Sequence, residues 1–398
     1  MAVNRRTWGK RVTRPIYDII IIGAGPAGAL LAHELAGAGL DVLLVEKKRL
    51  PRYKACGGGL TPRALKLLPF SIQSVIEDAT TTARLLVNGQ AAFQRTYPRP
   101  VVHMVMRDRL DAFMVQKAIA QGARLAQGLR FLAATGTPGN LDIRTTGGAF
   151  RTRCLVGADG AHSRTARHLG LNIRYRIMTA VEAEIEPDER ERNAFRHRFD
   201  FDFGVIDQGY GWVFPKRHHL SAGILTRRPK AGTIRLDLQR YLAGKGLAGA
   251  RVKSLKLHPI PYAPQAVNDY ANAKGLVVGD ASGMVDPITG EGIYYALRTA
   301  RLAAAAIGDY FHRGVSWTVY EDVMRATVGR ELRYAGWLAA ILYRLPWLSY
   351  PFLTRYGDPI AGKLLEVFQG QLGYPELFRY VLGWRGLKHL LTAPARTA

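Results

Sequence analysis

Cysteine is scarce in this chain, with only Cys56 and Cys154 among 398 residues. Two thiols cannot form a disulfide framework, and no C-x-x-C or H-E-x-x-H string offers a metal site. The adjacent His218 and His219 would point apart in a strand and make a poor ligand pair. No G-x-S-x-G elbow supports serine hydrolase chemistry. No apolar run reaches the roughly 18 residues of a spanning helix. Acids are also short, at 31 Asp and Glu against 56 Lys and Arg.

The resulting net charge of +25 favours polyanions: nucleic acid, anionic lipid or a phosphorylated substrate. Nucleic acid drops out, since no zinc finger, RNP-type string or recognition helix is legible. An arginine-rich composition without function is the alternative. The NRRTWGK start superficially resembles a twin-arginine signal. The apolar stretch behind it contains Asp18 and is needed for a nucleotide motif, so residues 1–15 are read as a basic tail. The expected compartment is the cytoplasm.

The chain is rich in glycine, with 42, and nearly half apolar, which fits an α/β enzyme. Residues 17–22, YDIIII, read as a buried strand, GAGPAG follows at 23–28, and LLAHELAGAG reads as a helix before the second strand DVLLVE. In this dinucleotide fingerprint Gly23 permits the tight turn, and Gly25 lets backbone approach a pyrophosphate beside Ala27. Gly28 allows the helix to pack on the sheet. Glu46, 18 residues beyond Gly28, suits ribose hydroxyls and would repel a 2′-phosphate.

Two further strings separate FAD from NAD. GADGAHS (157–163) and GDASGMVDPITGEG (279–292) each read as strand end, turn and helix start. Asp159 and Gly160 lie in the first. In the second, Asp280 beside Gly279 suits a ribityl chain, and Gly290 and Gly292 flank Glu291 at a helix start. Backbone N–H groups there would face the flavin edge that becomes negative on reduction. Residues 107–121 read as an amphipathic helix with Leu110, Phe113, Met114 and Ile119 on its apolar side. The run DERERNAFRHR (188–198) reads as a solvated hairpin or helix edge.

These motifs together resemble the para-hydroxybenzoate hydroxylase-like flavoprotein superfamily over roughly residues 16–310, which implies FAD and a role for Arg107 beside the flavin chain. RYKACGGGLTPRAL (52–65) and GYGWVFPK (209–216) resemble signatures of the geranylgeranyl reductases. That resemblance implies Cys56 and Gly57 near the flavin, and a substrate cavity lined by Tyr210, Trp212, Phe214 and Pro215. In a strand the three aromatics share a face, which makes a flat wall for an isoprenoid tail. Cys56, Tyr210 and a bound water are the open choices for proton donor.

The expected fold is α/β, a Rossmann-like FAD-binding domain with an inserted antiparallel-sheet substrate lobe and a helical C-terminal segment. The expected boundaries are 16–75 with 99–170 and 269–310 for the FAD domain, and 76–98 with 171–268 for the lobe. The helical region is 311–398, whose Trp, Tyr and Arg suit either an interfacial helix or a subunit contact. The expected activity is saturation of polyprenyl double bonds, with electrons from an external donor (a reduced nicotinamide or a ferredoxin) and attachment to the anionic inner face of the cell membrane. The alternatives are a flavin-dependent hydroxylase or halogenase, or a membrane-bound flavin electron relay.

Overall fold

The computed structural model describes residues 16–229, 232–263 and 268–383. The basic tail expected at 1–15 and the last part of the aromatic segment lie outside the described residues. The chain opens with β1 (Ile16–Ile22), α1 (Pro26–Gly37) and β2 (Val42–Glu46), followed by β3 (Gly59–Leu60) and the short α2 (Pro62–Leu65). Next come β4 (Ile76–Thr80), β5 (Thr82–Val87), β6 (Gln90–Thr96), β7 (Val102–Val105) and α3 (Arg107–Ala120). Then follow β8 (Arg124–Gln127), β9 (Phe131–Thr137), β10 (Asn140–Thr145), β11 (Gly148–Gly157) and α4 (Arg164–Leu169).

The parallel strands run in the order β18, β11, β1, β2, β8, where β17 (Ala271–Asn272) and β18 (Gly275–Val277) return late in the chain. The four-isoleucine run of β1 has a plain cause. Ile19 and Ile21 pack under α1 and α3, while Ile20 and Ile22 pack on the other face with Phe131, Leu141 and Leu155. A parallel strand covered on both faces must be apolar at every position. Gly23 then turns the chain at φ +110°, where a side chain would collide with the Ala158 carbonyl. Pro26 opens α1, where its missing N–H costs nothing.

The second lobe contains β12 (Arg176–Glu186), α5 (Glu189–Phe195), β13 (Arg198–Phe203), β14 (Gly209–Pro215), β15 (Leu220–Thr226), α6 (Ile234–Gly244) and β16 (Arg251–Tyr262). Its seven strands run β16, β12, β15, β14, β13, β5, β6. The sheet is antiparallel except where β13 runs parallel to β5. β4 pairs with β7, which also pairs with β3, in a separate small sheet. The charged run 188–198 holds α5, opened by an Asp188–Glu191 capping box.

Beyond α7 (Ile293–Arg313), the chain is helical: α8 (Val319–Met324), α9 (Arg330–Arg344), α10 (Pro346–Gln369) and α11 (Tyr374–Leu382). α10 kinks at Tyr356, which takes φ −122°, ψ 20°. Pro359 has no N–H to continue the helix, and its ring would clash with the carbonyl four residues back. In α3, Leu110 and Met114 are buried as the periodicity predicts, whereas Ile119 is 46 % exposed. Ala118 in the same turn is fully buried, so Ile119 points away from the apolar side.

Candidate active site

A cavity of about 730 Å3 runs between the carboxyl ends of the parallel strands and the inner face of the seven-stranded sheet. Crevices beyond strand ends in open parallel sheets are where dinucleotides bind. Its walls bring together Gly23, Gly25, Ala27, Glu46, Cys56, Gly57, Arg107, Asp159, Gly160, Gly279, Asp280, Gly290, Gly292, Tyr210, Trp212 and Phe214. Gly28 lies beneath this surface, where a side chain would meet the Gly23 carbonyl and the Ala158 methyl. Pro215 is a correction to the expected set. Strand alternation turns it to the opposite face from Phe214, together with Val213, and it does not line the cavity.

The residues at the nucleotide end suit FAD. A side chain at Gly25 would project into the cavity and meet only the Arg107 guanidinium, at 3.8 Å. That leaves a cradle between the N-terminus of α1 and a fixed cation, which is what a pyrophosphate needs. Glu46 is buried and accepts from the Ala24 N–H at 2.9 Å and the Lys48 N–H at 3.1 Å, which aims its carboxylate at the end of β2. Asp159 is spent locally. It accepts from Ser163 Oγ and from the Arg164 and Thr165 amides, so it shapes the turn and leaves Gly160 to border the cavity.

At the second helix start, Gly290 N–H donates to Asp286 O at 3.0 Å and Glu291 N–H to Thr289 Oγ1 at 3.2 Å. Those two amides serve the loop. The α7 N-terminus beginning at Gly292 borders the cavity together with Gly290. Glu291 itself accepts from Thr61 Oγ1 at 2.6 Å and from Arg63.

Arg107 is buried rather than a surface charge, and Asp111 holds it through bonds of 2.8 and 2.9 Å. Burial opposes the charge, but the Asp111 carboxylate outweighs it and holds the guanidinium well above its ordinary range, with Cys56 adding to the effect. Arg52 donates to the same Asp111 at 2.7 Å. Sequence reading missed Asp111 and Arg52, although an Arg–Asp pair four apart on a helix was there to be read.

The glycine loop after Tyr53 and the aromatic strand meet directly. A methyl at Gly57 would stand 2.9 Å from the Phe214 ring and 3.1 Å from Trp212 Nε1. Lys216, just after β14, donates to Gly57 O at 2.6 Å and Val105 O at 3.0 Å, which pins the loop from below. Successive rings Tyr210, Trp212 and Phe214 follow one another along β14 at centroid distances of 6.1 and 6.3 Å, tilted by 56° and 45°. The Tyr210 hydroxyl donates to the Thr289 carbonyl, so it ties the wall to the 279–292 loop and its proton is committed there. Trp212 Nε1–H is buried without a hydrogen-bond partner among the described residues.

An unforeseen polar group lies beside this wall. Glu182 on β12 accepts from Cys56 N–H at 2.7 Å, Ser221 Oγ at 3.1 Å and Tyr53 OH at 3.3 Å. Burial, reinforced by Glu184, pushes its carboxyl up to about 8. Lys54 Nζ lies 3.3 Å from His258 Nε2, and burial followed by the Lys54 charge pushes the imidazole down to about 4. The signal for Glu182 was the alternation in VEAEIE: Glu182 lines the cavity and Glu184 is buried on the same face, while Glu186 at the strand end pairs with Lys253.

Comparisons agree with this geometry. The family model described as FAD binding domain matches residues 16–312. A geranylgeranyl diphosphate reductase of Synechocystis is 28 % identical, with 88 % of this chain and 91 % of the relative covered. A menaquinone reductase of Mycolicibacterium smegmatis is 31 % identical, covering 72 % and 75 %. Among solved structures, a geranylgeranyl bacteriochlorophyll reductase-like protein from Thermoplasma acidophilum has TM-score 0.74 at 22 % identity, over 94 % of this chain and 99 % of its own. A flavin-dependent brominase reaches TM-score 0.72 at 19 % identity, covering 94 % and 100 %, so the fold alone does not separate these chemistries. The fold and cavity define an FAD-dependent oxidoreductase. The chain belongs to the FAD-binding-domain family and, within it, is an enzyme of the geranylgeranyl reductase type.

Proposed function

We propose that this enzyme saturates carbon–carbon double bonds of a polyprenyl chain carried on a lipid, quinone, pigment or diphosphate. The observation that carries the reading is the contact between the Gly57 loop and the Trp212–Phe214 wall. It sets an apolar aromatic surface against the loop that borders the cofactor region. Beyond the wall the cavity continues along Phe201, Leu225, Ile260, Val285 and Phe368, an apolar lining suited to an isoprenoid tail. Bound FAD supplies the two-electron chemistry, which no side chain can. The protein's part is to hold FAD through the Gly25 cradle, Arg107 and Glu46, to keep the alkene flat against the wall, and to exclude water.

An external reduced nicotinamide or ferredoxin recharges the cofactor in this reading. The substrate arrives from a membrane, where the enzyme attaches peripherally. Among the described residues no helix is long and apolar enough to cross one. At the turn from α9 into α10, however, Trp347 is 73 % exposed beside exposed Leu345 and Leu348 and near Arg344. An aromatic and arginine corner of this kind suits the headgroup layer.

The test is anaerobic incubation of the holoenzyme with a chemical reductant and geranylgeranyl diphosphate. Products should gain two hydrogens per double bond and no oxygen. An obligatory need for oxygen would point to hydroxylation or halogenation and overturn the reading.

A further inference from the structure

Reducing an isolated alkene needs a group that supplies a proton alongside the hydride. The Tyr210 proton is committed to the Thr289 carbonyl, and the Cys56 sulfur is engaged by the Gly58 N–H at 3.4 Å and by the Arg107 guanidinium. Glu182 is placed to supply the proton. It lines the cavity, and register pairing puts it in one cross-strand row with Lys256, Gly223 and Trp212. Gly223 carries no side chain, and the Trp212 indole lies over that glycine, next in the row to Glu182. Behind the carboxyl, Ser254 Oγ donates to Tyr53 OH at 3.2 Å, and Tyr53 OH donates to Glu182 Oε2 at 3.3 Å. Ser254 sits partly exposed on β16, the edge strand of the sheet.

We propose that Glu182 is the catalytic acid of this enzyme, and that Ser254 and Tyr53 form the path by which it regains its proton from solvent. The proposal rests on the reductase reading. In the step, the π pair of the alkene takes the proton from the Glu182 carboxyl and forms one C–H bond. The carbon left electron-poor would take hydride, with both its electrons, from bound reduced FAD, which would be left oxidised. The alkene becomes an alkane, and Glu182 is left as carboxylate. Water then returns one proton through Ser254 and Tyr53.

The surroundings suit an acid that stays protonated near neutrality. On its own strand Glu184 adds like charge, and His219 Nε2 lies 2.8 Å from Glu184. From β15 comes the neutral Ser221, and from β16 come Lys256 and His258. The loop after β2 supplies Tyr53, Lys54 and Cys56, and Lys216 approaches from the end of β14. Burial and Glu184 dominate over the Lys216 charge. A carboxyl kept neutral in this way is a competent general acid at physiological pH.

The experiment uses the full-length FAD-loaded enzyme. Infrared titration of the oxidised wild type, without substrate, should show a carboxylic acid band lost with a midpoint near about 8 and absent from Glu182→Gln. With dithionite as reductant and geranylgeranyl diphosphate under argon, the wild-type first turnover should fall as pH rises through that midpoint. Glu182→Gln should be slower by about 10²–10⁴-fold and pH-flat, with FAD content unchanged. Tyr53→Phe should spare the first turnover and slow later ones. If the Gln variant loses FAD, Glu182→Asp takes its place, with a shifted profile and a slower first turnover expected. Absence of the infrared band, or a variant matching wild type in rate and profile, overturns the role of Glu182 alone. A wild type that reduces no prenyl chain overturns the reductase reading and this role with it, while the titration still reports whether the carboxyl holds a proton.

Discussion

The benzo edge of the Trp212 indole occupies the space where Gly223 would carry a side chain. The two residues face each other across β14 and β15, so the orientation of the aromatic wall depends on a glycine outside the YGWVFP string. Gly223→Ala would meet the Val181 carbonyl as well as the indole; it should force the indole aside, destabilise the fold by about 1–3 kcal/mol, and lower alkene turnover. Trp212→Ala should lower turnover sharply. Both should keep their FAD, because the adenosine end of the cavity is built from other elements. Flavin absorbance and turnover on the same preparations check this, and unchanged turnover in Trp212→Ala would remove the wall from the mechanism.

The Gly25 cradle makes a separate claim about the cofactor alone. Gly25→Val puts branched carbon into space that otherwise borders only Arg107. The purified variant should be colourless and should not regain yellow colour with added FAD, while its circular dichroism matches wild type. A variant that holds FAD normally would show that the pyrophosphate lies elsewhere.

Asp111 carries two arginines, Arg107 and Arg52. Asp111→Ala leaves the buried Arg107 charge without its carboxylate, a loss of about 3–5 kcal/mol for pairs of this kind. Urea unfolding should show the midpoint fall with little change in slope. FAD affinity should fall as well, because the guanidinium beside Gly25 is no longer held in place.

His258 gives the pH dependence its acid limb. In the unfolded chain an imidazole protonates near ~6.5, but in the fold His258 does so only near about 4. Its contribution is therefore present above the unfolded value and is lost as pH falls from ~6.5 through about 4. Glu182 acts in the opposite sense. Its folded value is raised, so its contribution is complete below ~4.3 and is lost as pH rises through about 8. Thermal melting of apoprotein should show His258→Phe flattening the acid side and Glu182→Gln the alkaline side. Variants that leave both slopes unchanged would show that other groups set them.

Much of the nucleotide half was legible because each motif is local. Strand, turn, helix and acid from Ile19 to Glu46 lie in one stretch of chain, and their geometry follows from short-range constraints. The polar group around Glu182 was not legible, because it exists only through register. Tyr53, Glu182, Ser221 and Ser254 come from four distant places in the sequence. FDFDF in β13 was also overlooked, although its strict alternation predicts a strand. The alternation puts Asp200 and Asp202 on one face, where both are buried against Arg84, Arg198 and Lys245. Pro215 was misplaced for a related reason, since a motif names neighbours in sequence while alternation sends them to opposite faces.

Membrane attachment is tested best by point changes, because the C-terminal helices also hold the site together. Tyr374 donates to Asp286, Tyr343 to the Ile288 carbonyl, and Glu331 accepts from Arg63, so removing the segment would disturb the loop around Glu291. Trp347 and Leu348 are exposed and can be changed without opening the core. The intact protein, at net charge +25, should bind vesicles containing phosphatidylserine at low salt and release them as salt rises, since screening shortens the reach of surface charge. The double change Trp347→Ser with Leu348→Ser should weaken binding at every salt concentration and leave turnover of a detergent-dispersed substrate intact. The salt response should persist in that variant, because the basic surface is untouched. Failure of the intact protein to sediment with such vesicles at low salt would make the charge compositional and turn the Trp347 corner into a contact for another protein surface.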